Sequence, residues 1–133
     1  GKLYVLHGNG RVRYTKCLSN TLASCVNKRL HASPSIADVD GDGRQEVVVG
    51  GEQWVTVFDG NGRVEARGDT YPGTHPLTAA PSIATVRGRA WIVAVSGTGS
   101  AGRVFAWTTR RRLGPAAWPT FHQNTRRAGW IPR

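Results

Sequence analysis

Short apolar runs alternate with turn residues along this chain. Leu3 to His7 and Arg11 to Tyr14 flank Gly8-Asn9-Gly10, while Ser35-Ile36-Ala37 and Val47-Val48-Val49 flank an acidic loop. Trp91-Ile92-Val93-Ala94-Val95 follows Arg87-Gly88-Arg89. Short runs with β-branched residues, bounded by Gly, Asn and Asp, predict strands. An Asn-Gly step between two such runs predicts a hairpin. The expected fold class is therefore all-β.

The pattern repeats. Gly8-Asn9-Gly10-Arg11-Val12 returns as Gly60-Asn61-Gly62-Arg63-Val64, an offset of 52 residues, within the strand pair Val55 to Arg67. A third, degenerate copy is expected from Gly102 to Leu113, with Thr109-Arg110-Arg111 in place of the glycine turn. Ser33-Pro34-Ser35-Ile36-Ala37 returns after 47 residues as Ala80-Pro81-Ser82-Ile83-Ala84. Thr85-Val86-Arg87-Gly88-Arg89 follows the second copy, two residues shorter than the acidic loop and without a carboxylate. A hairpin that holds no metal is expected there.

The acidic loop itself carries chemistry. Asp38, Asp40 and Asp42 stand at loop positions 1, 3 and 5, Gly43 at 6, the Arg44 carbonyl at 7 and Glu46 at 9. Calcium takes six to eight oxygens at about 2.3–2.6 Å, and alternate carboxylates in a glycine-assisted turn supply such a cage. The helix-loop-helix calcium motif needs a bidentate Glu at position 12, where this chain has Val49, and the flanks here read as strands. An acidic solvated turn without metal is the plainer alternative.

The string SPSIADVDGDGRQEVVVGG, Ser33 to Gly51, closely resembles the calcium-binding FG-GAP repeat of integrin-α-like β-propellers. The resemblance implies that Asp38, Asp40, Asp42 and Glu46 hold calcium in the hairpin between the first two strands of a blade, bracing it. Repeats near 50 residues with about four short strands each also indicate propeller blades on their own account. The expected organisation is about two and a half four-stranded antiparallel blades. Residues 1–31 form the outer half of one blade with a disulfide loop, 32–78 a calcium-binding blade, 79–117 a degenerate blade, and 118–133 a closing tail. That tail resembles the WP-x-F-x-x-[DN] segment that often closes or opens bacterial propellers. Its Trp118, Phe121 and Trp130 are expected to pack on a blade, a stacking surface for sugars or nucleobases being the alternative. Propellers typically close with four to eight blades, so further chain or other subunits are expected to complete the ring.

Composition adds two points. The net charge is +10, and all eight acidic residues lie at or before Asp69, whereas nine arginines follow Thr70. Such a field attracts acidic polysaccharide, nucleic acid or another polyanion, with Arg110, Arg111, Arg112, Arg126 and Arg127 as candidate contacts. A composition rich in Arg, Gly and Ala gives the same charge without any ligand. Cys17 and Cys25, the two cysteines of the chain, are expected to close one disulfide loop, which places the chain in an oxidising compartment. An extracellular or cell-surface location agrees with a weak calcium cage, and no apolar run is long enough to span a bilayer.

No catalytic pattern stands out. His7, His31, His75 and His122 are scattered, and no nucleophile elbow or phosphate loop is present. Glu52, Asp59, Glu65 and Asp69 show no spacing that favours glycoside hydrolysis. The expected function is a calcium-stabilised segment acting in binding, adhesion or extracellular assembly, and not an enzyme. The alternative is a fragment of a calcium-dependent propeller enzyme, lyase-like, acting on acidic polysaccharide.

Overall fold

The computed structural model describes residues 1–18, 25, 32–51, 54–70, 77–98 and 101–120. Among them, nine strands make three antiparallel sheets of two, four and three strands. β1 (Lys2–Leu6) pairs with β2 (Val12–Cys17). β3 (Ser35–Ala37), β4 (Glu46–Gly50), β5 (Trp54–Phe58) and β6 (Val64–Asp69) form the central sheet in chain order. β7 (Ser82–Val86), β8 (Arg89–Thr98) and β9 (Ala101–Thr108) form the third.

Both Gly-Asn-Gly segments fold alike, because each needs a left-handed glycine to close its turn. Gly10 has φ +82° and Gly62 φ +81°. In the first turn the Gly10 amide donates to the His7 carbonyl at 2.9 Å, and in the second the Gly62 amide donates to the Asp59 carbonyl at 2.9 Å. Each ladder slips at the same repeat position, between Val5 and Leu6 and between Val57 and Phe58. The 52-residue repeat is thus a repeat of backbone geometry as well as of letters. Asp59 strengthens its copy, since its carboxylate accepts from the Asn61 and Arg63 amides at 2.8 and 2.7 Å. Those amide bonds, the Arg63 one foremost, hold its acid below the usual range.

The shorter loop closes the expected hairpin. Arg87 and Gly88, at φ +50° and +74°, make a two-residue turn between β7 and β8, the geometry favoured in tight hairpins.

Pairing registers show how the sheets stack. Val48 lies opposite both Ser35 and Val57 in the central sheet, and Val93 lies opposite both Ser82 and Ala106 in the third. One residue along, Ile36–Val47–Phe58 matches Ile83–Ile92–Trp107. Val48, Val55 and Val57 pack with Ile83, Ile92 and Ala94 of the third sheet. On the opposite face Val47, Val49 and Phe58 pack with Leu3 of the first sheet, and Val5 and Tyr14 close over them. The central sheet is therefore covered on both sides, which explains why β4 is an unbroken valine run rather than an alternating one. Burying each such side chain contributes about 1.5–3 kcal/mol.

Side-chain links add to the backbone pairing. The Ser35 hydroxyl donates to the Pro81 carbonyl, joining the two Ser-Ile-Ala copies directly. Cys17 and Cys25 form the expected disulfide, with Cα atoms 5.5 Å apart.

The third hairpin does not form. After β9 the Arg111 carbonyl accepts from the Ala90 amide at 2.7 Å, and the chain leaves the third sheet instead of adding a fourth strand. It then runs antiparallel along the free edge of β3. Gly114 donates to the Asp38 carbonyl at 2.8 Å, Asp38 to Pro115 at 2.8 Å, Trp118 to Ile36 at 2.8 Å and Ile36 to Trp118 at 2.7 Å. The Ile83 amide donates to Pro119, carrying the same segment across to β7. The physical reason is twofold. In place of the glycine of the other two hairpins, Arg110 itself takes the left-handed conformation, φ +61°, at a cost glycine would not carry, and Leu113 and Ala116 gain burial against the core between the sheets. Trp118 is half-buried and pairs through its backbone with Ile36, whereas Phe121, Trp130, Arg126 and Arg127 lie outside the described residues.

Candidate metal centre

The hairpin from β3 to β4 places its acidic loop under the returning C-terminal segment. Ala37 is opposite Glu46, so the loop from Asp38 begins and ends on paired strands. Gly41 and Gly43 take φ +76° and +89°, which turn the chain tightly enough to bring alternate side chains inward.

Asp38, Asp40 and Asp42 each offer a carboxylate oxygen, and these atoms lie within 4.8 Å of one another. Two oxygens bound to one calcium at about 2.4 Å each stand at most about 4.8 Å apart, so the three fit a single ion. Asp38 is 1% exposed and the other two are open to solvent. Its Oδ1 accepts from the Gly41 and Asp42 amides at 2.6 and 3.2 Å, and its Oδ2 from Gly43 at 2.9 Å. A carboxylate has about four acceptor places, so three amides fix Asp38 and leave room for a cation. Asp40 accepts from the Asp42 amide at 3.1 Å and Asp42 from the Arg44 amide at 2.7 Å, each through one oxygen. The second oxygen of each is open to a cation.

Sequence reasoning placed Arg44 and Glu46 in the same cage. Arg44 enters the observed network through its amide. Glu46, 2% exposed, turns one oxygen to the Val39 amide at 2.8 Å and lies outside the three-aspartate cluster. It braces the loop from within the hairpin. Burial pushes its acid up to about 7, with repulsion from Glu65, Asp40 and Asp38 adding to the shift and the Val39 amide opposing it.

That shift has a sign for stability. The folded chain binds this proton more tightly than the unfolded chain, so the stability it confers is complete below the ordinary carboxylate range and lost as pH rises through about 7. In chelator, the melting temperature is expected to fall between pH 5 and pH 8. Glu46→Gln flattens that fall, and an unchanged slope in the variant would show that another group sets it.

Two neighbours escaped the sequence pattern. Gly114 lies so close to Asp38 that a Cβ there would meet Oδ2 at 2.0 Å. The Arg112 carbonyl lies 3.0 Å from where a Gly41 Cβ would stand. Neither was visible because long-range backbone pairing has no local signature in the letters. Glu65 joins Asp40 on a cleft of about 570 Å³ between the central and third sheets, beside Arg67, Trp107 and Arg111. Burial raises the Glu65 acid, with repulsion from Asp40 the next largest cause. Arg110, Arg111 and Arg112 are exposed; Arg111 lines the same cleft as Asp40, and the Arg112 carbonyl lies against Gly41 of the acidic loop. Among the described residues no helix is long and apolar enough to cross a membrane.

No family model matches the chain, and no curated protein or solved structure gives a significant match.

Proposed function

We propose that this chain is a calcium-braced segment of an extracellular or surface-displayed β-propeller, serving binding, adhesion or assembly. Its three sheets are read as successive blades, about two and a half of them, with other blades or subunits completing the ring. The observation that carries this reading is the three-aspartate cluster, held by backbone amides so that each carboxylate keeps an acceptor place for one cation. Calcium would join loop and hairpin ends that otherwise repel one another, so the ion's role is structural.

Two further observations support the setting. The disulfide favours an oxidising compartment, where free calcium is abundant enough for a weak cage. The exposed Arg110, Arg111 and Arg112 favour an acidic ligand or partner.

Asp40→Ala tests the calcium role with little disturbance, because Asp40 is exposed and accepts a single amide bond. Calcium affinity, read by calorimetry, is expected to fall at least tenfold while the metal-free melting temperature stays close to that of the parent. Equal calcium binding by parent and variant would remove the basis for the reading.

A further inference from the structure

Among the described residues, two open sheet faces repeat positions buried elsewhere in the same molecule. On the first sheet, Leu6 is 55% exposed, whereas Phe58, its counterpart 52 residues on, is 2% exposed beneath Leu3. Tyr4, 57% exposed, corresponds in the same way to the buried Thr56. At the other end, Val104 faces Val95 across the ladder as Val55 faces Gly50, and Val104 is 71% exposed where Val55 is 2%.

The two open faces are of opposite kinds. Within the chain, Leu3 and Val5 of the first sheet meet the Val47 and Phe58 face of the second. The second sheet's Val48, Val55 and Val57 face then meets the third in the same sense. The outer face of the third sheet, with Val93, Val95, Val104 and Ala106, is the repeat equivalent of the Val48 and Val57 face. The outer face of the first sheet, with Tyr4 and Leu6, is the equivalent of the Phe58 face.

We infer that a second copy of this chain docks its first sheet on the third sheet of its neighbour, head to tail, continuing the stacking already made twice inside each chain. The inference rests on reading the sheets as successive repeat units. The partner is a second copy because each face already has its complement on the other end of the same molecule. Such a contact is heterologous, so it produces a ring when the rotation closes and a filament when it does not. Exposed apolar sheet faces of this kind mark interaction surfaces in folded proteins.

Light scattering on the purified chain with calcium, together with two charge variants, tests this. Val104→Glu and Leu6→Glu change exposed side chains, and circular dichroism checks that both still fold. The parent is expected to run above the monomer mass. Each variant alone is expected to run as a monomer, and an equimolar mixture of the two as a dimer, since each keeps the face that the other has lost. A monomeric parent, or a mixture that stays monomeric while the parent associates, overturns the head-to-tail contact. Calcium binding by a monomeric parent would leave the metal assignment standing, so the two readings fail separately.

Discussion

Gly114→Ala is expected to cripple calcium binding even though residue 114 is no ligand. A methyl group there would meet the Asp38 Oδ2 atom at 2.0 Å and its Cγ at 2.4 Å, distances that force one of the two residues to move. The backbone cannot yield cheaply, because Gly114 donates to the Asp38 carbonyl and Pro115 accepts from the Asp38 amide, clamping the segment to β3. The side chain of Asp38 must therefore rotate or shift. Overpacking of this kind costs about 1–3 kcal/mol. Without metal, part of that strain is relieved by moving the carboxylate; with metal, the ion pulls it back. Calcium affinity should drop by about ten- to a hundredfold, since 1.4 kcal/mol is a factor of ten. Calorimetry on the variant reads this directly, and Gly114→Ala with parental affinity would show that the C-terminal segment does not press on the loop.

Asp38→Ala should have the largest effect on the fold. Asp38 is at once a ligand candidate and the acceptor for the amides of Gly41, Asp42 and Gly43. Its removal leaves those donors unpaired in a partly buried turn, at about 1 kcal/mol or more each. The metal-free variant is expected to melt about 10 °C below the parent, at about 3–5 °C per kcal/mol for a chain of this size. Calcium should no longer raise its melting temperature. Asp40→Ala gives the contrast, losing the calcium response while keeping the metal-free stability. Should both variants melt alike in chelator, the amide network around Asp38 would not be what holds the turn.

Much of this was written in local sequence. The two Gly-Asn-Gly hairpins follow from a glycine that can take positive φ, and the valine run of β4 follows from burial on both faces. The three aspartates at alternate loop positions were legible for the same reason, since the spacing and the glycines dictate the turn. The course of residues 109–118 was not legible. Its pairing with β3 uses backbone groups that every residue carries, so Gly114 and the Arg112 carbonyl gave no signal. Glu46 shows a different limit. Its spacing suggested a ligand; one oxygen of its buried carboxylate accepts from the Val39 amide, a partner that the spacing does not show. Glu65 on β6 and Asp40 in the β3–β4 loop line one cleft, a relation set by the folding of the central sheet and not by neighbouring letters.

Thermal unfolding of the parent chain in calcium, in magnesium and in chelator bears most directly on the claim that the acidic loop holds calcium and braces the fold. A ligand at about a hundred times its dissociation constant stabilises by about 2.7 kcal/mol, which at this size is a rise of about 10 °C. The account predicts that rise in millimolar calcium, with a much smaller one in magnesium, whose tighter octahedral shell suits this open carboxylate loop poorly. The same melting temperature in calcium and in chelator would contradict it.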